Sequence, residues 1–297
     1  MAKVAAFRSD DARARYVELY DAALASSPVP ITESDVETSF GLTHVLTAGH
    51  PAMPPLVAIH PLAFSSASWV PLLPTFVANH SVTMLDAPGD LNKSVSIKPI
   101  TGAGLVVEWL DEALSALGIQ RAAVVGMSMG SWMATHYAMA FPGRIERLAL
   151  IAPVGLVSNQ HFTWILSGLL ANHLRPTEAR LEKFIEATAT PVGRRRLQQD
   201  PWRMIIQQYV TGAIGFHKPV LSLLRPGSCD LQRLNSAEFP VLVMVGRRES
   251  LHDGPKMAAR LRDRLPHARI ELIDEANHLI PVDQPEVVER LLGEFLN

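Results

Sequence analysis

With a single cysteine, Cys229, in 297 residues the chain cannot close a disulfide on itself, and the usual mark of an oxidising compartment is missing. Charge of neither sign prevails: 27 Lys+Arg against 29 Asp+Glu give a formal net charge of -2, without the basic surplus that nucleic-acid binding draws on. The longest basic run, Arg194-Arg195-Arg196, reads as the solvated end of a helix. No apolar run is long and unbroken enough to read as a membrane span. Residues 122–142 hold Gly126, Gly130 and His136, and residues 148–174 hold Pro153, Gly155 and the polar Ser158-Asn159-Gln160-His161. The first twenty residues meet charge too early to contain the apolar centre of a signal peptide, so a cytoplasmic location without a membrane partner is expected. H-E-x-x-H is absent and the histidines are scattered, so no metal and no other cofactor is called for.

Hydrophobic residues make up 48% of the chain and charged residues 19%, enough apolar surface for a sheet covered on both faces. Residues 9–26 carry Tyr16, Tyr20, Ala23 and Leu24 at helical spacing before Pro28, and 34–40 and 42–49 alternate as an antiparallel pair through Gly41. Buried-strand runs follow at 55–60, 81–86 and 145–151, with helices expected at 68–79 and 101–117, the latter with Leu105, Trp109, Leu110, Leu114 and Leu117 inward. Between 154 and 239 the pattern changes to helical stretches separated by Pro176, Pro191, Pro201 and Pro219. That segment reads as a helical lid whose apolar members include Phe162, Trp164, Ile165, Leu169, Trp202, Met204, Ile205, Ile206 and Phe216. Strands at 241–246 and 268–274 and helices at 254–265 and 285–296 complete the chain. The expected fold class is α/β, a mostly parallel central sheet with helices on both faces. Residues 1–153 and 240–297 form its core, and the lid, 154–239, is inserted before the last two strands.

Gly126-Met127-Ser128-Met129-Gly130 joins a β-branched run directly to a helical one. Strand, tight turn and helix in that order make a nucleophile elbow: the serine takes a strained backbone, and glycines stand where strand and helix pass too close for side chains. The Ser128 hydroxyl is thereby lifted clear of the sheet, with the Met129 amide facing the same space from the helix start.

A serine hydroxyl is a poor nucleophile at neutral pH and needs a base, held in its turn by an acid. On an elbow the chain order is serine, acid, histidine. Of His252, His267 and His278, only His278 follows the last strand on a turn, Glu275-Ala276-Asn277. The acid is expected just past strand 241–246, where Glu249 is better placed than Asp253; a salt bridge from Glu249 to Arg247 or Arg248 is the competing reading. His60 reads as a loop brace rather than a base, and Asp86 as a loop-ordering carboxylate. The loop after strand 55–60 supplies a second oxyanion donor, the Leu62 amide, beside that of Met129. The chemistry implied is two-step acyl transfer with water as the final acceptor.

Together GMSMG, GRRE and EANHLIPVDQPE resemble the nucleophile, acid and histidine motifs of the α/β-hydrolase superfamily across nearly the whole chain. The helical N-terminus, FSSASW, GDLNKS and glutamate at 249 look like the carboxylesterase subgroup that includes the naproxen-ester esterases. That resemblance implies an esterase for apolar acyl or aryl esters, with a small ester and water as its partners. Pro61 stands where the superfamily usually has glycine, and so does Ser131. A lactonase, a thioesterase or a carbon–carbon bond hydrolase would use the same groups. A ligand-binding protein on this fold is the non-enzymatic alternative.

Overall fold

The computed structural model describes residues 6–157, 176–217 and 229–297. Its strands are β1 (Ala6–Phe7), β2 (Ile31–Thr38), β3 (Gly41–Ala48), β4 (Pro55–Ile59), β5 (Ser81–Leu85), β6 (Val95–Ser96), β7 (Ala122–Met127), β8 (Ile145–Ile151), β9 (Phe216–His217), β10 (Val241–Gly246) and β11 (Arg269–Ile273). The large sheet runs β11-β10-β8-β7-β4-β5-β3-β2, with β6 beside β3. From β11 to β5 every pairing is parallel; β3 pairs antiparallel with β5, and β2 with β3. Buried on both faces, β7 and β10 read as unbroken apolar runs, whereas β2 at the edge carries exposed Glu and Asp.

Alternation along the strands sorts the core into two layers. Leu56 and Ala58 of β4 face a cluster that includes the helices Asp10–Ala25 and Pro285–Leu296. Val57 and Ile59 face another, with the helices Ala103–Ala116, Met129–Ala140 and Gly254–Arg264. The chain moves from β4 to β5 on one side and then crosses to β7 on the other. The loop after β4 and the turn after β7 therefore lie side by side at the carboxyl edge, where open α/β sheets bind ligands.

Several elements depart from the pattern read in sequence. The expected helix at 68–79 is a 3₁₀ segment, Ser66–Leu72, followed by a short α-helix, Leu73–Val77. Pro71 and Pro74 supply no backbone N–H, which an uninterrupted α-helix would need there. In Ala103–Ala116 the inward face holds Val106 and Ala113 with Trp109, Leu110 and Leu114, while Leu105 and Leu117 are only half-buried.

Between β8 and β10 the described residues form the helices Glu178–Ala187, Pro191–Arg196, Trp202–Gly215 and Leu231–Asn235. Phe162, Trp164, Ile165 and Leu169 lie outside the described residues, while Ile205 and Phe216 are buried. A short strand that no periodicity marks also lies among these described residues: β9 pairs antiparallel with β1 and joins this segment to the first strand. The N-terminal helix packs along Trp202–Gly215. The Tyr16 ring lies where a Cβ on Gly212 would come within 3.0 Å of it, and its hydroxyl donates to the Leu91 carbonyl. Phe7 closes the contact edge-on to Phe216, at 4.7 Å.

Candidate active site

Ser128 has φ 53° and ψ −115°, the strained conformation expected of the elbow. Its glycines are demanded by contact. A Cβ on Gly126 would lie 2.4 Å from the Gly130 carbonyl oxygen, and one on Gly130 would lie 2.1 Å from that of Ile59. Ser131, which stands where the superfamily usually has glycine, is buried and useful: its hydroxyl donates to the Gly126 carbonyl at 2.7 Å, with the Ile151 carbonyl at 3.2 Å sharing the proton. The Ser128 amide donates to the same Ile151 carbonyl at 2.9 Å, so strand β8 braces the turn from beneath.

The turn after β11 brings His278 to Ser128, with 2.9 Å between Nε2 and Oγ. At the far side of the ring Nδ1 lies 2.9 Å from Glu249 Oε2, and the other carboxylate oxygen accepts from the Leu251 amide at 2.9 Å. A carboxylate can only accept, so Nδ1 carries the proton, and Nε2 is left as the acceptor for the serine hydroxyl. Burial alone would push the Glu249 pKa up. The charge and hydrogen bond of His278, with smaller help from His252 and the Leu251 amide, more than offset it and hold the carboxyl below its ordinary value. Asp253 is occupied elsewhere, as N-cap of Gly254–Arg264 accepting from the Lys256 amide and pairing with Lys256 Nζ at 2.8 Å. Arg247 and Arg248 pair with Asp274 and Glu275, not with Glu249.

The loop after β4 is built around buried acceptors. Ala63 takes a positive φ of 64° in a turn closed by the Phe64 amide on the Pro61 carbonyl at 3.2 Å. The Ala63 amide donates to both oxygens of Asp90, at 3.0 and 2.9 Å. His60 Nδ1 donates to the Pro61 carbonyl at 2.8 Å while Nε2 accepts from the Ala87 amide at 3.0 Å, so this histidine braces the loop. Asp86 accepts from the amides of Ser66 (2.7 Å) and Lys93 (3.1 Å) and orders the loop after β5. The Leu62 amide has no hydrogen-bond acceptor among the described residues, and Leu62 lines the same cavity as Ser128. Met129 opens its helix, where first-turn amides have no intrahelical acceptor.

That cavity ends on Ser128 and His278 and is walled by apolar side chains, among them Leu62, Phe64, Phe184, Ile185, Leu251 and Leu279. Tyr209 stacks on Phe64 with ring centroids 5.4 Å apart. Two residues that hold the site escaped sequence reasoning. Asp90 sits inside GDLNKS, a visible motif that carried no role, and Asn277 is one of three turn residues with nothing to single it out. Among the described residues no helix is long and apolar enough to cross a membrane.

Comparison with known proteins agrees with this architecture. Residues 54–285 match the family model described as the alpha/beta hydrolase fold. Carboxylesterase YbfK of Bacillus subtilis is 24% identical over 295 residues, 98% of this chain and 96% of the relative. The carboxylesterase nap of the same organism, itself uncharacterized, is 25% identical over 95% of this chain and 92% of its own. In three dimensions the chain is similar to the crystal structure of naproxen esterase (carboxylesterase NP) from Bacillus subtilis, with a TM-score of 0.86, 24% identity, and 98% of this chain and 100% of that one covered. A chain that crosses to the other side of β4 on its way to β7, a serine on a strained elbow at the end of β7, and a family match over most of the chain make this protein a member of the α/β-hydrolase family.

Proposed function

We propose that this ester hydrolase cleaves esters of apolar acyl or aryl groups through an acyl-enzyme, with Ser128 as nucleophile, His278 as base and Glu249 as the acid that orients it. The observation that carries the reading is the unbroken line from Glu249 Oε2 through His278 to Ser128 Oγ, two contacts of 2.9 Å each, at the end of an apolar cavity. As Oγ bonds to the ester carbonyl carbon, its proton passes to Nε2, and Glu249 stabilises the imidazolium without taking a proton itself. The carbonyl oxygen becomes an oxyanion for which the Leu62 and Met129 amides are the donors, in a site that the apolar walls keep at low dielectric. Collapse breaks the bond to the leaving oxygen, which departs with the proton from His278. Water then repeats the sequence on the acyl-enzyme and frees the acid. Residues 154–239 act as a lid on a core formed by 1–153 and 240–297. In support of this, Phe184, Ile185, Thr188, Tyr209 and Ala213 of the inserted segment line the cavity. The carboxylesterase names of YbfK and nap favour an ester as the substrate.

The test is hydrolysis of short p-nitrophenyl esters by the wild type and by Ser128→Ala. Loss of a working nucleophile lowers kcat on the order of 10⁴-fold or more. Equal inactivity of the two at saturating ester, or equal activity, overturns the reading.

A further inference from the structure

Two buried side chains that take no part in proton transfer gather the segments that make the site. The Asn277 carboxamide oxygen accepts from the His278 amide and from the Ser250 amide, each at 2.8 Å, so one atom joins the base turn to the residue that follows Glu249. Its NH₂ donates to the carbonyl of Ala187 at 3.1 Å, at the end of the helix Glu178–Ala187 that puts Phe184 and Ile185 into the cavity. Asp283 repeats the arrangement one turn on. One carboxylate oxygen accepts from the Asn277 amide at 2.7 Å, and the other from the amide (2.9 Å) and hydroxyl (2.8 Å) of Thr190. Thr190 is the N-cap of Pro191–Arg196, and Arg196 at the end of that helix donates back to the carbonyls of Val282 (3.1 Å) and Asp283 (2.7 Å). The Leu279 amide adds a bond to the Thr188 carbonyl at 3.1 Å.

We propose that Asn277 and Asp283 are positioning residues that lock the two helices spanning 178–196 to the His278 turn, so that cavity wall and imidazole orientation are set together. The inference rests on the triad reading above. The ring of His278 is aimed by its backbone, the backbone is held by Asn277, and Asn277 is held by Asp283 and Ala187. The contact is tight on the far side as well. A Cβ on Gly193 would lie 1.9 Å from Asp283 Oδ1, so a methyl group there must push the carboxylate off its partners. Gly193 is not one of the cavity-lining residues, and alanine suits a helix better than glycine does.

Four variants test this: Gly193→Ala, Asp283→Asn, Thr190→Val, which deletes the hydroxyl bond to Asp283 together with the cap bond from the Gly193 amide, and Thr190→Ser, which keeps both. The readouts are kcat and KM on a short p-nitrophenyl ester, the melting temperature, and the low-field proton resonance of His278 Nδ1–H. The first three variants are expected to lower kcat on the order of 10- to 100-fold with KM changed less than about 3-fold, as a small misplacement of a reacting group does. They should also shift or broaden the Nδ1–H signal at temperatures where the protein stays folded, whereas Thr190→Ser keeps wild-type values. An unchanged resonance and unchanged kcat in folded Gly193→Ala and Thr190→Val, or a change confined to KM, overturns the proposal. The resonance is read without turnover, so it decides the question even if wild type and Ser128→Ala prove equally inactive and the esterase mechanism itself fails.

Discussion

Glu249 uses its two oxygens differently, one for the His278 ring and one for the Leu251 amide that keeps the side chain from swinging away. Exchange for glutamine leaves the shape but offers an N–H where Nδ1–H needs an acceptor, or else forces the wrong imidazole tautomer. Glu249→Gln is therefore expected to lower kcat on the order of 10³- to 10⁴-fold, measured on the same p-nitrophenyl esters. Asp253→Asn removes a charge from a helix cap and leaves the His278 contact alone, so its kcat stays within about 2-fold of wild type and its cost is a fraction of a kcal/mol in stability. The opposite ranking would move the acid to Asp253. Local order along the chain was enough to prefer Glu249, because it stands close behind a buried strand. The Arg247 and Arg248 pairings that remove the competing salt bridge depend on β11 lying beside β10.

The elbow is the element whose making was most legible, since strand, two glycines and helix adjoin in the chain. Its tolerance follows from the contacts at Gly130, where a methyl would meet the backbone carbonyls of Ile59 at 2.1 Å and His60 at 2.7 Å. Backbone cannot step aside as a side-chain tip can. Gly130→Ala should displace the elbow from β4 and from the loop that follows it, costing about 1–3 kcal/mol by urea unfolding and on the order of 10²-fold in kcat. Other elements were read less well where helical spacing and proline conflict, as at Ser66–Leu72, or where a strand is two residues long, as in β1 and β9. Such short pairings exist because a distant partner is at hand, and no periodicity announces them.

Stability against pH is a property of the whole molecule, and two buried carboxyls pull it in opposite directions. Asp90, buried behind the loop after β4, has its pKa pushed up by desolvation to about 6, against an ordinary 3.8. A raised pKa means that the folded chain binds the proton more tightly than the unfolded one, so this contribution is complete below pH 3.8 and is lost as pH rises through 6. Relative to Asp90→Asn, the wild type should thus lose about 2 kcal/mol of unfolding free energy between pH 4 and pH 7, read from urea melts at each pH. Glu249, held below its ordinary 4.5, has the opposite sign: its contribution is present above pH 4.5 and lost as pH falls through the lowered value. A flat difference between wild type and Asp90→Asn would show that the Asp90 carboxyl is not strained by burial. Periodicity, glycine and proline punctuation and the serine between strand and helix already decided the fold class, the elbow and the short list of candidate residues, because each of these depends on neighbours in the chain. Which histidine nitrogen meets Ser128, that Asp90 anchors the Ala63 amide, and that Asn277 joins three segments were decided only by folding. Those contacts need distances near 3 Å between residues tens of positions apart, and the order and register of β4, β7, β10 and β11 set such distances where sequence spacing does not.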